Sequence, residues 1–335
     1  MSSALDSLSA KARAKLKRAS QPRGLEPMKA RLTEERFSDP DWIFERKLDG
    51  ERCLAYRTPS GVHLRSRTQH LLDRSYPELV DALEEQDYQD FVVDGEIVAF
   101  AGRATSFSRL QGRMQIQDPE KARRTGIAVY LYVFDLVHLA GHDTTALPLR
   151  ARKRLLWRAL SFEDPIRWLA HRNRDGEALF ADACKRGLEG LIAKRAGSPY
   201  RPGARSADWL KFKCSHEQEL VIGGFTAPKG SRTDFGALLV GYNEYGALRY
   251  AGKVGTGFDR ESLRALGRRL RDLERDGSPF ANVHPIPAGT RWVEPRLVGQ
   301  FAFSEWTRDG RLRHPRYLGL RDDKPPSEVV RERPS

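Results

Sequence analysis

The sequence predicts an α+β protein of two domains: a larger one of mixed antiparallel sheets and helices, ending near Cys214, and a smaller β-barrel after it. Length is the first reason, since a chain of 335 residues is longer than a single core usually serves. The second is pattern. Before residue 214, apolar β-type runs alternate with helix-like stretches, whereas after Glu219 short strands recur with one amphipathic helix among them.

Phe91–Phe100, FVVDGEIVAF, is rich in Val and Ile and is interrupted only by Asp94, Gly95 and Glu96. It reads as strand, tight polar turn or bulge, then strand. Val129–Leu139 is a second β-type run, and Gly190–Arg195 is a short one that follows a helix-like stretch, Gly176–Arg186, closed by Gly187. The polar SHEQE after Cys214 reads as a hinge. Beyond it, Leu220–Phe225, Ala237–Tyr242 and Leu248–Val254 read as strands, with GYNEYGAL as a hairpin turn. Leu263, Leu266, Leu270 and Leu273 share one helical face, with Arg264, Arg268 and Arg271 off it. Short strands with one helix fit an OB-type barrel.

Lys and Arg total 58 against 45 acidic residues, a formal charge of +13, and that balance favours a polyanionic partner, nucleic acid first. Three widely spaced cysteines, Cys53, Cys184 and Cys214, form no C-x-x-C pair, which argues against a disulfide framework or zinc site and for a reducing compartment. No apolar run approaches the roughly 18 residues of a membrane span, so a soluble cytoplasmic protein with no membrane contact is expected. The basic segment Ala10–Arg18 leaves three readings, a transit-like leader, a DNA-contacting arm or a solvated tail, and residues 1–24 are taken as a tail.

The chemistry starts in Phe44–Arg52, FERKLDGER. A lysine amine becomes nucleophilic when nearby cations or a dry pocket lower its pKa, and Lys47 is placed for that, with Glu45 and Asp49 flanking it and Gly50 letting the backbone turn close to a ligand. The chain lacks G-x-x-x-x-G-K-[ST], so a nucleoside triphosphate would not be held in a P-loop. Asp94-Gly95-Glu96 sets two carboxylates in apolar surroundings, where Glu96 suits a ribose hydroxyl or Mg²⁺; a solvated hairpin turn is the alternative. Glu189 stands at the mouth of an apolar strand. Lys211 and Lys213 in WLKFK share one strand face, which suits a phosphate or simply solvent.

Taken together, KLDGER at 47–52, SR at 66–67, VDGE at 93–96, FDL at 134–136, EGLIAKR at 189–195, WLKFK at 209–213 and GLRDDK at 319–324 resemble the ordered motif series of covalent nucleotidyltransferases. Within that superfamily the likeness is to ATP-dependent DNA ligases, especially the ligase module of bacterial non-homologous end-joining ligases, and it runs from about Leu25 to Lys324. It implies an adenylation (nucleotidyltransferase) domain over 25–214 and an OB-fold domain over 215–335. The implied activity is sealing of 5′-phosphate/3′-hydroxyl nicks through lysyl-AMP and adenylated DNA, in repair or end joining.

The same resemblance assigns roles. Lys47 is the nucleophile and Asp49 assists the later steps. Lys211 and Lys213 contact the α-phosphate. Phe134 stacks on adenine, Glu45 belongs to the nucleotide site, and Arg52 and Arg67 contact nucleotide or the DNA 5′-phosphate. Glu96 and Glu189 hold Mg²⁺, with Mn²⁺ as an alternative, and Arg321 and Lys324 orient the pyrophosphate when the barrel closes. Arg205 is a looser candidate for DNA or nucleotide. Partners implied are nicked double-stranded DNA and a DNA-end-binding repair protein, with the chain a monomer. A GTP-using capping enzyme fits the C-terminus less well, an NAD-dependent ligase would need a four-cysteine zinc site, and a non-catalytic scaffold need not keep Lys47, Glu96, Glu189, Lys211 and Lys213 together.

Overall fold

The computed structural model describes residues 4–102, 104–228 and 234–333, and the chain divides into two units after Cys214.

In the first unit two sheets face each other. The larger runs in the order Lys17–Arg18, His142–Asp143, Val129–Leu139, Phe91–Ala101, Glu51–Thr58, Gly61–Ser66, with Ile166–Trp168 and Ala104–Thr105 attached to its central strands. The smaller runs His171–Asn173, Trp42–Arg46, Gly190–Arg195, Arg205–Lys213, Lys29–Leu32. Strand alternation sorts the side chains. Val93, Ile97, Leu131 and Val133 point to one side of the larger sheet and pack with Leu79, Leu83, Leu155 and Leu156 of the helices Pro77–Glu84 and Leu149–Ala159. Val92, Val98, Phe134 and Val137 point to the other side and meet Met28, Tyr200 and Trp209. On the smaller sheet, Phe44, Leu191, Ala193 and Phe212 pack outward with Ala183 of the Gly176–Lys185 helix. The residues between them in sequence therefore face the layer between the sheets.

Four expectations need correction. The N-terminal segment is no solvated tail: Ala4, Leu8 and Ala12 are buried in the main core, and Lys17–Arg18 pairs with His142–Asp143 at the sheet edge; small and apolar residues at period four hide among the lysines. Residues 1–3, at its start, lie outside the described residues. Asp94-Gly95-Glu96 forms no turn but lies inside one strand, Phe91–Ala101. The irregularity is on the partner strand, where Val133 faces Gly95 and Asp135 faces Asp94, leaving Phe134 as the extra residue of a bulge. SHEQE is mostly strand: His216–Thr226 pairs with Thr290–Phe303 from its first residue, so only Cys214 and Ser215 separate it from Arg205–Lys213. Finally, Cys184 and Cys214 are joined in a disulfide across 30 positions, and only Cys53 is free and buried. Spacing rules did not see this pair because the fold brings the end of a helix to the end of a strand.

The second unit is antiparallel: Ala247–Val254, Leu238–Glu244, His216–Thr226 and Thr290–Phe303 follow in order, with Arg316–Leu320 on Thr290–Phe303. Tyr245 and Gly246, at φ 50° and 76°, make the two-residue turn between Leu238–Glu244 and Ala247–Val254. A capping box of Asp259 and Ser262 starts the helix Arg260–Arg271, which buries Leu263, Leu266 and Leu270. This is the OB-type barrel expected from the strand pattern.

Candidate active site

Lys47 follows directly on the Trp42–Arg46 strand, and its backbone N–H donates to Gly190 O at 2.9 Å, which seats it beside the start of the neighbouring strand. Its ammonium pairs with Glu189 Oε1. Burial pushes the Lys47 pKa down, but the charge and hydrogen bond of Glu189, with Asp49 and Glu96 behind it, outweigh burial and raise it above the ordinary lysine value. From the sequence, nearby cations or a dry pocket are expected to lower the Lys47 pKa; the lysine is buried, but carboxylates rather than cations surround its ammonium and raise it.

The neighbouring turn is fixed from both sides. Asp49 Oδ2 accepts from Phe107 N–H at 3.2 Å, and Asp49 N–H donates to Thr105 Oγ1 at 3.1 Å, so this carboxylate orders the segment that follows Phe91–Ala101. A Cβ on Gly50 would lie 2.2 Å from Ile97 O and 3.0 Å from Glu96 Cγ. Gly50 is needed for close approach to the strand bearing Glu96.

Arg52 is opposite Glu96 in register, yet its guanidinium is engaged by fully buried Asp94, at 2.5 and 2.6 Å, and that carboxylate also accepts from Tyr200 Oη at 2.7 Å. The pairing raises the Arg52 pKa despite burial. Arg67 follows Ser66, which is opposite Cys53, and so stands at the same end of the sheet as Arg52. Phe134, in its bulge, is 6% exposed, with Arg52 4.6 Å and Lys194 4.1 Å from the ring centre. The next residue, Asp135, is fixed by a bidentate contact with Arg152 at 2.7 and 2.9 Å, which anchors the bulge.

Lys211 and Lys213 lie opposite Ile192 and Gly190. They share their strand face with Trp209, whose ring packs against Phe134 and Tyr200 in the layer between the sheets; both lysines thus face that layer, on the side where Lys47 and Glu189 meet. Glu45 is 1% exposed and pairs with Lys153 and, at 2.7 Å, with Lys194. Burial raises its pKa, but the two lysines reverse this and hold it below the usual carboxylate range, while burial lowers that of Lys194. Glu45 therefore sits beneath the site as a charge anchor. Arg205 is exposed and donates to Ala30 O at 2.7 Å. Arg321 and Lys324 belong to the second unit, where Arg321 pairs with Asp323 at 2.8 Å and Lys324 with Glu219 at 2.9 Å.

Sequence reasoning gave no role to Lys153 or Tyr200, and it named Asp94 and Lys194 within motifs without their partners. A signal existed for two of them. Leu149, Arg152, Lys153 and Leu156 follow the i, i+3, i+4, i+7 stripe, so the helix period puts Arg152 and Lys153 on the buried face. Lys194, three residues past Leu191, alternates onto the inner face.

Among the described residues no group of three or more His, Cys, Asp or Glu is close enough to hold a metal ion by itself. Glu189 Oε2, however, is buried without a hydrogen-bond partner. An orphaned carboxylate oxygen facing Lys47 fits Mg²⁺, which is commonly held by one or two carboxylates plus substrate phosphates.

Comparison with known proteins places both units in one family. The ATP dependent DNA ligase domain matches residues 27–213, and the ATP dependent DNA ligase C terminal region matches residues 231–324. The multifunctional non-homologous end joining protein LigD of Pseudomonas aeruginosa is 41% identical over 88% of this chain and 35% of its own length. The corresponding DNA repair protein LigD of Mycobacterium tuberculosis is 40% identical over 87% of this chain and 37% of its own; the chain thus spans little more than a third of these relatives. A solved structure of mycobacterial DNA ligase D complexed with ATP and MES superposes with a TM-score of 0.66 at 36% identity, covering 92% of this chain and 98% of that one. With both of its units matched in order and the lysine site inside the first match, this chain belongs to the ATP-dependent DNA ligase family.

Proposed function

We propose that this chain seals 5′-phosphate/3′-hydroxyl nicks in duplex DNA, with Lys47 carrying AMP between ATP and DNA. The observation that carries the reading is the contact of Lys47 with a carboxylate whose other oxygen is buried and unpaired, on strands that also present Lys211 and Lys213. Once Lys47 has given up its proton, its Nζ attacks the α-phosphorus of ATP, a phosphoramide bond forms, and the bond to pyrophosphate breaks. Lys211 and Lys213 neutralise the α-phosphate oxygens as charge builds on them. Glu189 and Glu96 would hold Mg²⁺, whose chemistry here is charge neutralisation of the triphosphate.

A 5′-phosphate oxygen of DNA then attacks the AMP phosphorus and Lys47 leaves; finally the 3′-hydroxyl attacks the DNA phosphate and AMP leaves. Arg52 and Arg67, at one end of the sheet, are suited to the 5′-phosphate, and Phe134 to the adenine face. Arg321 and Lys324 are assigned to the pyrophosphate, for which they would exchange their carboxylate partners, Asp323 and Glu219. The end-joining and DNA-repair names of the relatives support a role in DNA repair; a DNA-end-binding protein as partner, action as a monomer and a cytoplasmic location are part of the same proposal.

The test is incubation with Mg²⁺ and α-labelled ATP followed by a denaturing gel, with Lys47→Ala, labelled GTP and labelled NAD beside it, and then transfer to a nicked duplex. A labelled band from ATP alone, absent in Lys47→Ala and chased by nicked DNA into sealed strand, is the expected result. A band that survives Lys47→Ala would overturn the assignment of the nucleophile.

A further inference from the structure

The inner face that carries Glu96 and Phe134 continues beyond them. Along Phe91–Ala101 it runs on to Phe100, and along Val129–Leu139 it runs from Phe134 to Tyr132, opposite Glu96, and Tyr130, opposite Val98. There the first unit has a cavity of about 540 Å³ walled by the rings of Phe100, Tyr130 and Tyr132 and by Arg109, Arg167 and Arg186, and among the described residues no acid lines it.

The rings meet edge to face, Phe100 with Tyr130 at 5.7 Å and with Tyr132 at 6.3 Å between centres. Arg167 stands 3.7 Å over Tyr130. It is fixed by Asp164 at 2.7 Å and by the Tyr132 hydroxyl at 3.1 Å, so its position does not depend on a ligand. Arg46, which precedes Lys47, lies near enough to Arg186 for their charges to repel. Arg167 and Arg186 are each held by an aspartate outside the cavity, Asp164 and Asp182, so an anion there would share them, and the half-buried rings beside them suit an anion with a flat face.

Those are the properties of a nucleotide in a strand: the base stacks on a ring and the flanking phosphates meet the cations. The cavity lies in the size range of small-ligand sites. At roughly 3.3 Å per strand residue, Tyr130 is about 13 Å from Phe134, within a few nucleotides of the Lys47 centre. A nick favours such a site, because the break interrupts one strand and lowers the cost of unstacking a nucleotide close to it.

We infer that this cavity takes up a nucleotide of the DNA flanking the nick, with its base on Tyr130 and Phe100 and its phosphates at Arg167 and Arg186. The inference rests on the nick-sealing function proposed above. Its effect falls on DNA rather than on ATP, which separates it from a role in holding the fold.

The test compares wild type, Tyr130→Leu and Arg167→Ala in two assays, labelling of Lys47 by ATP and sealing of a pre-adenylated nicked duplex. A series of nicks with a single abasic residue at each flanking position completes it. Each substitution is expected to lower kcat/KM for sealing about tenfold more than it lowers labelling, the scale of one lost stacking contact. One abasic position is expected to slow wild type by a similar factor and to leave Tyr130→Leu no slower than it is on intact DNA. Equal losses in both assays, or a Tyr130→Leu enzyme that keeps wild-type sensitivity at every abasic position, would overturn the inference. A wild type that takes label from ATP yet seals no nick would instead remove the parent reading, and this one with it.

Discussion

Replacing Glu45 with Gln removes the carboxylate that pairs with two buried ammonium groups, because Lys153 and Lys194 are 3% and 2% exposed and both pair with it. Two routes bound the cost. Breaking a buried ion pair by deleting one partner typically costs about 3–5 kcal/mol. Alternatively a lysine sheds its proton in the folded state; with an unfolded pKa of about 10.4 and about 1.36 kcal/mol per unit, that costs roughly 4–5 kcal/mol at pH 7. The routes agree on magnitude, and the second has a signature. In the variant a lysine whose folded pKa lies below its unfolded value leaves the folded state with fewer protons, so stability rises with pH up to about 10.4. The deficit against wild type should shrink by about 2–3 kcal/mol between pH 7 and pH 9. Wild type has a dependence of the same sign at the acid end. Glu45 is depressed below its unfolded value, so its contribution is complete above about pH 4.3 and fades as pH falls through the folded pKa. Urea unfolding of the first unit at several pH values measures both effects. A deficit under about 1 kcal/mol, or one that does not change from pH 7 to pH 9, would refute the view that Glu45 serves as a buried counter-charge.

Lys47, raised by its carboxylates, should react with an amine-directed acylating reagent with an apparent pKa above the ordinary lysine value in the nucleotide-free enzyme; its contribution to stability is present below about pH 10.4 and is lost as pH rises through the folded pKa, and labelling with an apparent pKa below the ordinary value would contradict the geometry. Gly190 has φ +141°, and a Cβ there would lie 1.9 Å from Phe212 O. Gly190→Ala should therefore part the strands that position Lys47 and Lys213, lowering the stability of the first unit by more than about 2 kcal/mol together with Lys47 labelling; denaturant unfolding and the ATP gel read the two losses. Reducing Cys184–Cys214, which closes a loop of 30 positions, should cost about 3–4 kcal/mol by loop entropy, seen as a lower urea midpoint with dithiothreitol than without it and as no change in a Cys184→Ser, Cys214→Ser variant.

What could be read in the sequence follows from range. Val129–Leu139 and Gly190–Arg195 appear as strands with the expected bounds because an apolar run is a local signal, and the leucine stripe of Arg260–Arg271 is local too. The lysine pair Lys211 and Lys213 was legible for the same reason, since period two alone puts them on one face. Asp94 was not legible as the holder of Arg52, nor Glu45 as the holder of Lys153 and Lys194, because each contact joins residues far apart in sequence: Glu45 and Lys153 are separated by 108 positions. A charged residue inside an apolar strand announces that some partner exists, without saying which. The bulge at Phe134 was invisible for a related reason, as it is a property of two strands in register and leaves no mark on either alone.

The environment of Lys47 carries one further step. Asp49, Glu96 and Glu189 all act on its ammonium, and a triphosphate entering here brings several more negative charges to a layer already holding three carboxylates. Lys211 and Lys213 cannot offset both sets. Arg52, Arg67, Arg321 and Lys324 are proposed to share the load, and a cation arriving with the nucleotide would add to them at Glu189 Oε2, which is buried without a hydrogen-bond partner. A cation bound there competes with Lys47 for the same carboxylate, so the step that neutralises the triphosphate also loosens the proton on the nucleophile. Glu189 would then serve both states, keeping Lys47 charged and unreactive when the site is empty and releasing it once nucleotide and cation are in place. On this argument Glu189→Gln frees Lys47 from its main counter-charge and yet adenylates slowly: the lysine is easier to deprotonate, but the cation site is weakened. Labelling of the nucleotide-free variant by an acylating reagent should therefore become faster than wild type at a given pH while labelling by ATP becomes slower, and a parallel change in the two would show that Glu189 serves one role only.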